Sequence, residues 1–175
     1  ITLQTGGDIL VDKALTVATE QTLTLNGLGG ASTVKQNAAI TATKLELLGD
    51  NATHTLTNKG NKVSTLAANT KSVKYTNGDA LTVGTVNTTK GITAKDGVSV
   101  TTEQGNLNIN ETITNSRSVD VTVGAGVSRG AGDPTGGDVK TAAGKKINND
   151  ASGGKTFVYS GSVDETGALR SEDVV

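Results

Sequence analysis

From Ile1 to Val123 the chain is a near-continuous series of short runs in which apolar residues alternate with Thr, Lys, Asn or Ser. No stretch carries helical periodicity. The runs include Ile1-Thr-Leu3, Asp8-Ile-Leu-Val11, Leu15-Thr-Val17, Leu23-Thr-Leu25 and Leu45-Glu-Leu47. They continue through Thr55-Leu-Thr57, Val73-Lys-Tyr75, Leu81-Thr-Val83, Val98-Ser-Val100, Leu107-Asn-Ile109 and Val119-Asp-Val121-Thr-Val123. Successive side chains of a strand point to opposite faces, so each run buries one face and wets the other. Turn formers separate the runs: Gly6-Gly7-Asp8, Asn26-Gly27, Gly49-Asp50-Asn51, Asn77-Gly78-Asp79, Asp96-Gly97 and Gly105-Asn106. The chain is expected to be all-β.

Strands this short suit a solenoid better than a sandwich, whose turn signals come every 8–12 residues or so. Apolar anchors recur from Leu23 to Leu45, from Val73 to Val98 and from Val98 to Val119. They imply coils of about 20–25 residues. The expected fold is a β-solenoid of stacked coils, each contributing two or three short strands. Composition supports this. Aromatic residues make up 2 %, with Tyr75, Tyr159 and Phe157 the whole set, and there is no Trp, Met or Cys. A compact globular core draws much of its area from aromatic rings. Ladders of Val, Ile and Leu do not need them, and large rings are expected to fit poorly in a slender interior.

The pattern divides the chain into regular coils over 1–123 and a looser Gly-rich part over 124–175. Glycine is dense between Gly124 and Gly154. Alternation returns at Thr156-Phe-Val-Tyr159. The strand pattern has already begun at Ile1, so the chain is expected to be an internal slice of something longer.

The formal net charge is −1, with Lys and Arg scattered. Nucleic-acid binding, which needs a basic stripe, is not expected. No apolar stretch approaches the ~18 residues of a membrane span. Without Cys, thiolate metal sites and disulfides are excluded.

Several stretches resemble the repetitive region of large two-partner-secreted bacterial adhesins, of the filamentous-hemagglutinin and high-molecular-weight-adhesin type. Gly7-Asp-Ile-Leu-Val-Asp-Lys-Ala-Leu-Thr-Val17 with Gln21-Thr-Leu-Thr-Leu-Asn-Gly27 is one. Ala80-Leu-Thr-Val-Gly-Thr-Val-Asn87, Gly91-Ile-Thr-Ala94 and Gly105-Asn-Leu-Asn-Ile109 are others, and Lys155 to Val163 is similar to a segment that closes repeat units. The resemblance implies a right-handed parallel β-helix and a secreted, surface-exposed adhesin segment, exported by an outer-membrane partner. Its role would be adhesion to a host-cell or bacterial receptor or glycan, as rigid stalk or binding module.

Chemistry is sparse. The single His54, in Thr53-His-Thr-Leu56, has no second His or Cys to share a metal and is expected on a strand surface. A β-helix can also bind or process polysaccharide, so Asp8, Asp12, Asp50, Asp79, Asp96 and Asp120 are candidate carboxylates. Most adjoin Gly or Asn, as turn residues do. No catalytic residue, cofactor or metal ligand is assigned, and the chain is read as not an enzyme. Asn51, Asn87 and Asn110 each begin an N-x-S/T sequon. Thr-x-Thr pairs are too irregular for an ice-binding array. Arg117, Arg129 and Asp133 mark the one candidate binding-loop region. Open solenoid ends are expected to favour end-to-end self-association.

Overall fold

The computed structural model describes residues 1–117, 119–126, 137–149 and 154–160. Among these there is no helix, and strands stack in parallel as a β-helix with three faces. The first face carries β1 (Thr2–Thr5), β4 (Thr22–Gly27), the middle of β6 (Ile40–Leu56) and of β7 (Lys62–Asn77), β11 (Ile92–Ala94), β14 (Ile113–Asn115) and β17 (Ile147–Asn149). The second carries β2 (Ile9–Val11), β5 (Thr33–Gln36), the ends of β6 and β7, β12 (Val98–Thr102), β15 (Val121–Gly124) and β18 (Thr156–Tyr159). The third carries β3 (Leu15–Thr16), the starts of β6 and β7, β8 (Leu81–Val83), β13 (Leu107–Ile109) and β16 (Val139–Thr141).

Period two in the sequence becomes ladders in the interior. Leu3, Leu25, Leu47, Ala68, Ile92, Ile113 and Ile147 form one column on the first face. Leu23, Leu45 and Leu66 form the next. Like residues at strand spacing pack β-branched and leucyl side chains layer on layer, and a single apolar cluster runs from Val11 to Val158.

The predicted turn residues fall at the corners. Two corners are tight enough that one strand runs through them: β6 spans 17 residues and β7 spans 16, each running round all three faces, with the register shifting between Gly49 and Thr53. Gly49 makes this geometry available, with φ at +124° and no room for a side chain against the Gly27 carbonyl. Asparagines hold the next corner. Asn77 is fully buried; its Oδ1 accepts from the Val63 N–H and from the Tyr75 hydroxyl, and its Nδ2 donates to the Val63 and Asp79 carbonyls.

Two sequence expectations are corrected. Val98 pairs with Val121, not with Val119, which lies outside the strand and is exposed. Tyr75 sits wholly inside, between Leu56 and Val100 in its column, so one large ring does fit where the Asn77 amide receives its hydroxyl. Coil spacing is 22 residues from Leu23 to Leu45 and 23 from Val98 to Val121, then widens to 35 from Val121 to Thr156.

One element departs from the stack. Between β8 and β11 the chain leaves the wall as a small antiparallel hairpin, β9 (Thr85–Val86) and β10 (Thr89–Lys90). Its base is closed by the Gly91 N–H on the Gly84 carbonyl, and Asn87 at the tip has φ +51°. A positive φ is tolerated better by Asn than by most residues.

Candidate functional site

On the second face the inward positions belong to the core, so the outward positions are those left for recognition. One outward column reads Thr55, Lys74, Ser99, Thr122, and the next begins Thr53, Ser72. With Asp96 and Asp120 at the corners before β12 and β15, these side chains line a shallow groove of about 290 Å³. Lys74 is exposed, and among the described residues no carboxylate pairs with it.

Both acids at the groove are engaged by the scaffold. Arg117 Nη1 lies 3.1 Å from Asp96 Oδ1, and Lys71 lies 3.9 Å from Oδ2. Asp120 Oδ1 accepts the Lys155 N–H at 2.9 Å. The other candidate carboxylates are similarly placed. Asp8 accepts the Thr33 N–H at 2.7 Å, a bond that holds its carboxyl below the usual range. Asp12 accepts from the Asn37 amide, Asp50 faces Lys95 and Asp79 faces Lys62. A corner acid that receives a backbone N–H from the next coil is a structural device here, repeated by Asn106 with the Asp138 N–H.

Arg117 therefore borders the groove through Asp96, while Arg129 and Asp133 lie outside the described residues. The sequons differ among themselves. Asn51 and Asn110 are exposed. Asn87 is exposed too, but its Nδ2 donates to Glu46 Oε2 at 2.8 Å, so the atom a glycan would take is already bonded.

His54 is not on the surface. It occupies an inward position between Val34 and Val73 and is wholly buried. Its Nε2 donates to the Leu48 carbonyl at 3.2 Å, and Nδ1 has no partner. Burial disfavours the charged ring and pulls its pKa down to about 4. The neutral imidazole is thus a core residue. A signal for this was present: His54 is in phase with Leu56 two residues on, which points inward.

Sequence reasoning missed Glu46, whose carboxylate is buried on the outer side of the first face at 4 % exposure. Oε2 accepts from Thr24 Oγ1 and Asn87 Nδ2, both at 2.8 Å, and Oε1 accepts from Thr89 Oγ1 at 2.7 Å. Such bonds to a charged acceptor are stronger than neutral ones.

Among the described residues no His, Asp and Glu converge in a group of three that could hold a metal, and no helix is long and apolar enough to cross a membrane. No family model matches this chain, and neither curated proteins nor solved structures give a significant match to it.

Proposed function

We propose that this chain is part of the shaft of a secreted bacterial surface protein that acts in adhesion, with the second-face groove as its contact surface. The observation that carries the reading is the three-faced ladder from β1 to β18, a rod with a polar groove that presents Lys74 among the hydroxyls of Thr55, Ser72 and Ser99. A shaft of this kind supports adhesion by holding the backbone of its outward columns in place, because each outward position is flanked in its strand by inward residues anchored in the core. The resemblance to two-partner-secreted adhesins supports export through an outer-membrane partner.

The test is saturable binding of the folded, labelled protein to epithelial cells and to bacteria, compared with Lys74→Glu. Binding that Lys74→Glu weakens severalfold supports a contact through this face. Equal binding by both proteins removes the groove from the proposal, and no binding by either leaves the shaft as a spacer.

A second reading is polysaccharide binding in the same groove, favoured by its ammonium and hydroxyl lining. Retention on an acidic-glycan column, lost with Lys74→Glu, would favour it. Release of reducing ends in the same assay would bring Asp96 and Asp120 into play as acids. A self-association reading rests on the first coil: among the described residues β1, β2 and β3 each pair on one side only, and Ile1 and Leu3 of that coil are exposed. Sedimentation that shifts with concentration would support end-to-end pairing.

A further inference from the structure

In a solenoid each coil normally touches only its neighbours, so coils can fray one at a time from an end. The hairpin of β9 and β10 breaks that rule. It springs from the junction between β8 and β11, yet its tip is bonded to Glu46 on β6, two coils earlier. The coil in between contributes Ala67, which follows Glu46 in the same outward column and is fully buried together with Val86 of the hairpin. A methyl group at that position leaves space for a backbone to lie across it. Glu46 in turn holds Thr24 of β4, one coil further back.

We infer that the hairpin is a strap that ties four successive coils, those of β4, β6, β7 and β11, into one unit through the Glu46 carboxylate. The early coils then open together with the middle of the solenoid, not ahead of it. Beyond β11 the hairpin reaches the next coil through one exposed bond, Thr85 Oγ1 to Glu111 Oε1 at 3.3 Å just before β14, whereas the clasp on Glu46 points only to the earlier coils. The two-residue turn between β9 and β10 puts Asn87 at positive φ, and in that turn its amide and the Thr89 hydroxyl reach the two oxygens of one carboxylate.

The test is native-state hydrogen exchange on the whole chain, wild type against Asn87→Ala/Thr89→Val, which removes two donors and leaves the wall untouched. The expected result is a loss of protection of about tenfold or more at Thr89 and Gly91, accompanied by a severalfold loss at Leu23 to Asn26, with β17 and β18, one coil beyond the Thr85–Glu111 bond, unchanged. Release of the hairpin with no change at Leu23 to Asn26 would overturn the strap, since the hairpin would then be a local cover. Unchanged protection of the hairpin itself would overturn the clasp. Should the double variant fold poorly, the exposed single variant Asn87→Ala is read the same way, with a smaller expected loss at the same amides.

Discussion

Leu3 and Leu25 occupy the same interior column, one coil apart, yet Leu3 is 37 % exposed and Leu25 is fully buried. The same holds on the second face, where Ile9 is half-buried and Val34 below it is wholly enclosed. Residue type and backbone are alike; what differs is that the middle coils have a coil on each side. In this fold burial belongs to the stack and not to the residue. A leucine in the first coil has half the environment of a leucine in the third, and its energetic weight should follow.

The sharpest way to break the comparison is a pair of truncations. Leu45→Ala removes a fully buried side chain from the middle of a column and should destabilise by about 3–4 kcal/mol, a transfer loss plus an unfilled cavity. Leu3→Ala should cost less than ~1 kcal/mol, since part of its surface is already wet. Urea midpoints for the two variants would decide it, and equal shifts would mean that the first coil is as well enclosed as the third.

Next in size is the effect of acid on the middle coils. His54 has a pKa of about 4 when folded and 6.5 as its ordinary value, so the unfolded chain takes up the proton first. Its contribution is complete above pH 6.5 and is lost as pH falls from 6.5 toward 4, on the order of 3 kcal/mol in all. The urea midpoint of the native protein should therefore fall through that window, and His54→Leu should flatten the fall. A variant with an unchanged pH profile would place the acid sensitivity elsewhere.

The smallest effect lies at the corners. Asn77→Ala leaves the Val63 amide and the Tyr75 hydroxyl without their acceptor inside the core, and should cost about 2 kcal/mol. Asp8→Ala, at an open corner of the first coil, should shift the thermal midpoint less than Asn77→Ala does. The reverse order would show that the exposed corner carries more of the stability than the buried one.

How much of this was legible follows from what alternation encodes. The pairings of Leu23 with Leu45 and of Val73 with Val98 were readable, since like apolar residues at a coil's spacing stack in register. The inward position of Tyr75 was readable from its phase with Val73, but the objection to large rings ignored the polar partner at the corner. Val119 was misread because it alternates with Val121 while belonging to the preceding corner, where its carbonyl accepts from the Asn115 and Asn149 amides. Glu46 was legible as outward-facing between Leu45 and Leu47. Its burial was not, because local period says which way a side chain points and nothing about what lies across it. The groove was hidden for the same reason: its lining comes from β6, β7, β12 and β15, separated by whole coils in sequence.

Parallel stacking also fixes how this protein turns chain into reach. Each coil of about 22 residues advances the axis by only ~4.8 Å, whereas the same residues in an α-helix would extend ~33 Å. A spike of this build reaching ~100 Å needs ~20 coils, on the order of 450 residues. In return its tip distance is quantised: gaining or losing one coil moves whatever it carries by a single strand spacing, without changing the cross-section that bears the load.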